Sequence, residues 1–460
     1  MCVPQVSRIV NDILDGKFTG SFICPYLLVN RICPGDKTKG APVAACDDAP
    51  APPTDATKVD VRPIKIREAL LRLVSTVAIA LTAKPHYAEL FPTVAQVGCG
   101  TPGGIERAVH VLRAALDAGG DTSVLISIDY TNAYNTRSRS RMHHAIVSNP
   151  HTERLQRLFR FIYGTECESI FYEHGSVTSR EGSEQGCAIG GFAFAHSMTP
   201  AFTNAAKDLV CSAVGCADDW SVAGNWLACI DAVKRLLADK SIDEMKVNAP
   251  KCWVLWPHAH DPPAALTASV AALGFQLRRG HAVKLGACFA TDPHLISAWA
   301  LKQVEKHTAL FDFITHDKMD AQTGFHLLRS SLLPRMQFLS RCHAPAHIME
   351  ALKAWDDKVY ACFLTLHNMT ITSSGSTVSE REIVRKQVAL PATGFGGLDH
   401  CSQRTDQERP LRVRADRRAT SRPTRQHNSL HTCPHRVKHT PIPGHGVGTR
   451  PALMRIIYKP

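Results

Sequence analysis

Short apolar runs and longer amphipathic stretches alternate along most of this chain. Val124–Ile128 is a continuous, β-branched run that predicts a buried strand, and it ends at Asp129. Apolar residues on both sides of Asp218 and Asp219 predict a strand, a tight turn and a second strand within 213–222, with the two acids at the tip. Helical spacing of apolar residues occurs at about 67–81, 105–116, 155–163 and 230–238, and from 292 to about 358. The pattern predicts an α+β protein whose last third is helical.

The charge is concentrated at the C-terminal end. The 460 residues carry a formal net charge of +12, and the segment from Cys401 onward holds 13 Lys and Arg against 3 Asp and Glu. That segment also lacks apolar periodicity, so we expect residues 401–460 to form a basic, disordered tail. The body is nearly neutral, so composition alone gives little support for nucleic-acid binding.

The cysteines indicate the compartment. None of the 16 cysteines stands in a C-x-x-C pair, the N-terminus does not read as a signal peptide, and no apolar run is long enough to span a bilayer. Free thiols in a reducing environment are the simplest interpretation. We therefore expect an intracellular protein of the cytoplasm or nucleus that has no membrane partner.

The acidic positions indicate a metal site. Two adjacent carboxylates repel each other, so the pair Asp218 and Asp219 predicts a bound cation, although a solvated hairpin tip is the alternative. Phosphoryl transfer with two metal ions requires carboxylates from at least two segments. Asp129 beside the Asp218 hairpin supplies that set for two Mg²⁺ ions, with Mn²⁺ as a possible substitute.

At these residues the sequence resembles a known family. The segment from Asp129 to Asn135 resembles the first carboxylate motif of reverse transcriptases of the non-LTR (LINE-type) retrotransposon class, and 216–219 is similar to their aromatic-x-Asp-Asp motif. Gln185-Gly186 and Lys251 follow in the family's order. The resemblance implies a palm-fingers-thumb polymerase fold with a ferredoxin-like antiparallel palm sheet and a helical thumb. It places an N-terminal extension and fingers at 1–120, the palm with inserted fingers elements at 121–290 and a thumb-like region at 291–400.

The resemblance also implies an activity, partners and residue roles. The activity is RNA-directed DNA synthesis from dNTPs on an RNA template with a DNA primer. Lys251 corresponds to a general acid for the leaving pyrophosphate, and 284–286 to a hairpin that grips the primer. The metal positions are Asp129, Tyr130, Asp218 and Asp219. The nucleotide-binding positions are Arg31, Arg62, Lys65, Tyr134, Gln185 and Gly186, where the Tyr134 ring excludes a ribose hydroxyl and the three cations meet the triphosphate.

Other functions stay open at this point. Cys187 and Cys216 depart from the family's usual residues, which favours a catalytically inactive remnant of a retroelement that retains the fold. An RNA-dependent RNA polymerase is a near relative in chemistry. A G-x-G-x-x-G segment at 98–103, followed by a helix and a strand, also admits a dinucleotide-binding unit. The sequence does not predict an oligomeric state.

Overall fold

A computed structural model describes the central part of the chain. The described residues are 30–36, 61–92, 95–164, 166–171 and 175–367, with a few positions between 8 and 17, and side chains are described outside 30–36, 61–66 and 167–171. The predicted basic tail, like the last part of the thumb-like region, lies outside the described residues.

Eleven strands and fourteen α-helices are assigned within this part. The strands are β1 Asn30–Asp36, β2 Val61–Arg67, β3 Ser123–Ile128, β4 Cys167–Phe171, β5 Gly175–Ser179, β6 Cys211–Cys216, β7 Asp219–Asn225, β8 Trp253–Trp256, β9 Gln276–Arg279, β10 His281–Lys284 and β11 Ala287–Ala290. The helices are α1 Ala69–Leu81, α2 Tyr87–Leu90, α3 Gly104–Ala118, α4 Ala133–Thr136, α5 Arg139–Val147, α6 Gln156–Tyr163, α7 Ala188–Ala205, α8 Trp226–Ala238, α9 Ala264–Leu273, α10 Pro293–Glu305, α11 Thr308–Ile314, α12 Ala321–Leu327, α13 Gln337–Cys342 and α14 Pro345–Leu366.

The central sheet has five strands in the order β6-β7-β3-β8-β9. All neighbours are antiparallel except β8 and β9. Strands β3, β6, β7 and β8 and the helices between them follow a β-α-β-β-α-β path. A second sheet, β2-β1-β4-β5, and the hairpin β10-β11 complete the strands. The described chain is therefore a mixed α/β protein with mostly antiparallel sheets and more helix than strand.

Strand β3 is buried because helices cover both faces of the central sheet. Successive side chains of a strand point to opposite faces. Leu125 belongs to the cluster formed with Leu112 and Leu116 of α3, whereas Val124 and Ile126 belong to the larger cluster on the side of α7 and α8. This explains why the β3 sequence is continuously apolar rather than alternating.

The helical pattern after residue 292 is confirmed by helices α10 to α14. Their apolar faces enclose a separate hydrophobic cluster around Trp355, which is fully buried and packs edge-on against Phe311. Arg113 of α3 connects this cluster to the sheet, because its guanidinium donates hydrogen bonds to the carbonyl oxygens of Cys288 and Cys342.

The dinucleotide-binding interpretation of 98–103 is wrong. Such a unit needs a parallel strand immediately before the glycine turn. The described part of 68–97 contains no strand, and β3 is antiparallel to both of its neighbours. The glycines instead lead directly into α3.

The described residues bear on two expectations from composition, the state of the cysteines and membrane-spanning helices. All nine cysteines whose side chains are described and classified are free thiols, as predicted. No helix in the described part of the chain combines the length and the apolar character needed to cross a membrane.

Candidate active site

The Asp218 hairpin is a tight turn held by a buried glutamine. Cys216 and Asp219 form the last pair between β6 and β7, so only Ala217 and Asp218 make the turn, and Ala217 adopts a left-handed conformation with φ 56°. The side chain of Gln96 accepts a hydrogen bond from the Ala217 amide at 2.7 Å and donates one to the Ala217 carbonyl at 3.0 Å. These bonds fix the direction in which the turn presents Asp218.

Asp129 lies at the same end of the sheet. Ile128, the last residue of β3, pairs with Trp220 of β7, so Asp129 follows directly beside Asp219. The Asn248 amide donates to the Asp129 carbonyl at 2.8 Å. The Asp129 amide donates to the sulfur of Cys252 at 3.3 Å, so both sides of the Asp129 backbone are anchored. The structure thus brings the three predicted acids together from two remote segments.

The carboxylates of Asp129, Asp218 and Asp219 lie in a partly buried environment, where their negative charges repel one another. Burial raises the pKa of Asp218 to about 6, and the charges of Asp219 and then Asp129 add to the rise. Burial also raises the pKa of Asp129, an effect that the nearby charge of Lys251 opposes and that of Asp219 reinforces. A divalent cation relieves such repulsion, and carboxylate oxygens are ligands that Mg²⁺ prefers. These carboxylates are therefore the residues that could hold a metal ion at this end of the sheet.

Lys284 faces the same cluster. Its side chain is only 10% exposed, and its ammonium group forms an ion pair of 3.2 Å with the Asp219 carboxylate. The resemblance associates Lys284 with the primer, but nothing in the sequence indicates a partnership with Asp219. Strand β10 carries Lys284 to this position, and only the packing of the β10-β11 hairpin beside the sheet reveals the contact.

A cleft of about 430 Å³ opens beside the hairpin turn. Its lining residues include Tyr134, Gly186, Cys187, Ala217 and Arg72. The Tyr134 ring stacks on Phe194 at 4.2 Å between centroids, and the charge of Asp218 is close enough to raise the pKa of Tyr134 after the larger effect of burial. The predicted positions Tyr134 and Gly186 therefore share one cleft with the acidic turn.

The loop that carries Gln185 is fastened to Tyr134. The Ser183 amide donates to the Tyr134 carbonyl at 2.7 Å. Gly182 has φ +67°, and a Cβ atom there would lie 2.4 Å from the backbone of Tyr134 and Asn135, so only glycine fits. Gln185 follows in the same loop and is half-buried. The close approach of Gly182 to the backbone of Tyr134 and Asn135 holds the loop that carries Gln185 beside the cleft.

Side chains are described for only some of the other predicted residues. The side chains of Arg31, Arg62 and Lys65 are outside the described residues; their backbones lie in the paired strands β1 and β2, so their contact with a nucleotide stays a prediction. Lys251 is exposed, and its positive charge lowers the pKa of Asp129. The Tyr130 side chain is buried in the main core, so a metal could meet only its backbone.

Sequence reasoning missed two cleft residues. Gln96 is 1% exposed and contacts the turn across 121 positions of the chain. Arg72 is an exposed residue on α1 that lines the cleft. Neither stands in a motif, and an arginine on a helix surface carries no local signal of its role.

Replacing Gln96 with leucine is expected to loosen the turn. The substitution removes three part-buried hydrogen bonds, two to the Ala217 backbone and one to the Gly98 amide. We expect a loss of about 1–3 kcal/mol in the free energy of unfolding, measured by urea denaturation. Gln96→Glu, which retains the acceptors but adds charge near Asp218, should be at least as harmful, whereas Gln322→Leu on the exposed surface of α12 should change little. Wild-type stability in Gln96→Leu would contradict this role of the side chain.

Comparisons with known proteins give distant structural likeness but no match of sequence. No family model matches the chain, and no curated protein sequence matches it. Among solved structures, telomerase from Candida albicans in complex with the TWJ fragment of telomeric RNA is similar over 81% of this chain, with 12% sequence identity and a TM-score of 0.38. The match covers 66% of the telomerase chain, so this chain spans somewhat less than two thirds of that protein's length.

Proposed function

We propose that the chain is an RNA-directed DNA polymerase, a reverse transcriptase of a non-LTR retrotransposon-like element that adds dNTPs to a primer 3′-hydroxyl. The observation that carries the proposal is the convergence of Asp129 with Asp218 and Asp219 at one end of β3 and β7, next to a cleft. Remote acids that share a sheet edge and raise each other's pKa are typical of a metal-dependent catalytic site. In this proposal 121–290 is the palm, with fingers before it and a thumb-like region after it.

The proposed metal ligands are Asp129 and Asp218, supported by Asp219 and the backbone of Tyr130. Two Mg²⁺ ions bound there would supply Lewis-acid chemistry for phosphoryl transfer. The anchored backbone of Asp129 and the glutamine-held turn of Asp218 keep the carboxylates in place before substrate binds, which avoids a reorganisation cost.

Other residues of the chain would bind and orient the substrates. Exposed Lys251, near Asp129, would donate a proton to the leaving pyrophosphate. Arg31, Arg62 and Lys65 would meet the incoming triphosphate. Gln185 and Gly186 would approach the templating base pair. Template RNA and DNA primer would form an A-like hybrid, recognised through its backbone and 2′-hydroxyl groups rather than its sequence.

Primer extension tests this function directly. The full chain is incubated with poly(rA)/oligo(dT), labelled dTTP and Mg²⁺. We expect extension that requires both the template and the metal. Omitting poly(rA) controls for untemplated addition, and EDTA controls for metal dependence. Failure to extend with either Mg²⁺ or Mn²⁺, by protein that still binds the hybrid, would exclude the polymerase activity.

Replacing Tyr134 with alanine should relax the choice of sugar. The ring is held by its stacking on Phe194, so it forms a rigid wall of the cleft. Removing it should lower the preference for dTTP over UTP by roughly 10–200-fold, the range for a single steric contact in a pocket. Tyr134→Phe retains the ring and should retain the preference. An unchanged ratio of kcat/KM values in Tyr134→Ala would mean that Tyr134 does not select the sugar, and a wild-type preference for UTP would indicate an RNA-dependent RNA polymerase.

A catalytically inactive protein is the second candidate function. Lys284 already neutralises Asp219 through an ion pair, and a thiol, Cys216, precedes the acids where the family carries an aromatic residue. Such a protein would bind an RNA–DNA hybrid without extending the primer. Lys284→Met distinguishes the two: if the ion pair suppresses activity, this variant should extend primers faster than wild type.

A further inference from the structure

A second cluster of metal-ligand side chains lies away from the aspartates. His86, Glu89 and His151 offer one nitrogen or oxygen atom each, and these three atoms lie within 4.8 Å of one another. Glu89 reaches both rings: one of its oxygens is 3.8 Å from Nδ1 of His86 and the other is 3.0 Å from Nε2 of His151. It is the only such group of three among the residues that the structure describes.

The cluster joins two segments whose backbones are fixed. His86 ends a 3₁₀ turn over Lys84–His86, and Glu89 follows three residues later on α2, so both side chains leave the same face. His151 lies in the connection after α5, where its amide donates to the Asn149 side chain at 2.9 Å. Next to it, the buried Thr152 hydroxyl donates to the Ile146 carbonyl at 2.7 Å. The ligands are therefore presented by ordered backbone.

We propose that His86, Glu89 and His151 bind a borderline-soft divalent transition-metal ion, with Zn²⁺ as the best fit. Two imidazole nitrogens and one carboxylate oxygen form a typical zinc donor set, with a fourth position left for water, whereas Mg²⁺ selects oxygen ligands. Two nitrogens on one zinc ion lie about 3.3 Å apart. The rings are stacked with centroids 3.6 Å apart and planes at 14°, so both nitrogens are already close, and the rings must turn out of this stack for their lone pairs to meet at one ion.

The site would fasten one wall of the candidate active cleft. Two aromatic residues stand beside these ligands in the chain: Tyr87 follows His86, and Phe91 comes two residues after Glu89. Both rings pack against Phe192, which lines the cleft. A metal that ties 86–89 to the connection at 151 would hold these rings against α7. Metal binding by these three residues does not depend on polymerase activity, and it can be measured without that activity.

Residue-resolved histidine modification tests the proposal. EDTA-treated full-length protein is exposed to diethyl pyrocarbonate with no metal, Zn²⁺ or Mg²⁺, and each histidine is followed by mass spectrometry. Because the side chains of His86 and His151 are about one-third exposed, both imidazoles react without metal. We expect Zn²⁺ to slow modification of His86 and His151 at least tenfold and Mg²⁺ to have no effect. Exposed His294 on α10 serves as the internal control and should react equally under all three conditions.

A matched pair of glutamate variants identifies the third ligand. Glu89→Gln should raise the zinc concentration for half-protection at least tenfold, whereas Glu305→Gln, an exposed position on α10, should leave it unchanged. Co²⁺ bound to the wild type should give visible d–d bands without the thiolate charge-transfer band of a cysteine site. Protection of His86 and His151 no greater than that of His294, or equal zinc affinity in Glu89→Gln, would reduce the cluster to an ordinary ion pair and overturn the proposal.

Discussion

Replacing Asp218 with asparagine is expected to abolish primer extension and to stabilise the folded protein at the same time. Asp218 is the half-buried acid at the hairpin tip, and its amide counterpart cannot supply the anionic ligand that a divalent ion requires. Loss of several kcal/mol of transition-state stabilisation corresponds to a decrease of at least about a hundredfold in kcat/KM.

The gain in stability follows from the raised pKa of Asp218. Burial and the neighbouring acids raise it from 3.8 to about 6, so the native state binds more protons than the unfolded state between these values. In metal-free buffer the free energy of unfolding should therefore fall as the pH rises from about 4 to 6 and level off above it. The penalty is at most about 3 kcal/mol, reduced by solvent screening because the group is only half-buried.

Activity and unfolding measurements on the same variants check both effects. Urea denaturation of Asp218→Asn across pH 4–8 should show a smaller fall than wild type, and added Mg²⁺ should stabilise wild type more than the variant. Asp121→Asn, at an exposed position before β3, is the matched control and should behave as wild type. Equal primer extension by Asp218→Asn and wild type would falsify the proposed catalytic role of this carboxylate.

Replacing Glu184 with alanine is expected to be the most destabilising single change at the cleft. Glu184 and Arg67 form an ion pair of 2.6 Å in which both side chains are almost completely buried. The Arg67 guanidinium also lies 5.2 Å from the centre of the Tyr163 ring, and the Tyr163 hydroxyl accepts a hydrogen bond from the Glu184 amide at 3.3 Å. Removing one partner leaves a buried charge without its counter-ion, which typically costs about 3–5 kcal/mol.

A double-mutant cycle separates the ion pair from the packing around it. Arg67→Met combined with Glu184→Leu replaces the pair with apolar side chains of similar size and should recover much of the loss. Urea denaturation gives the free energies, and hydrogen exchange of the adjacent amides at Gln185 and Gly186 reports on the loop. Additive effects of the two single substitutions, with no recovery in the double variant, would mean that the pair does not anchor the loop.

Local pattern identified the elements that frame the site. The apolar run before Asp129 is β3, the two runs around Asp218 are β6 and β7, and the amphipathic stretch after Gly104 is α3. These succeed because burial on a sheet or a helix face imposes a period that a short stretch of sequence displays. The pattern did not predict short helices such as α2 and α4, because four residues are too few to show a period.

Other features depend on contacts between distant segments. The two bonds of Gln96 to the hairpin turn, the ion pair of Lys284 with Asp219 and the cluster of His86 with His151 each join residues separated by more than 60 positions. The glycine-rich segment at 98–103, which leads into α3, suggested a different fold, because glycine spacing alone does not reveal the direction of the neighbouring strands.

By itself, the sequence of this protein determined which residues carry acidic and basic chemistry and which stretches form its strands and longer helices. The tertiary structure decided that Asp129 and the Asp218 hairpin turn lie at the same end of neighbouring strands, that Lys284 faces them and that Gln96 holds the turn. The physical reason is that secondary structure follows from periodic burial within one segment, whereas a site follows from the register between segments far apart in the chain, which no local pattern encodes.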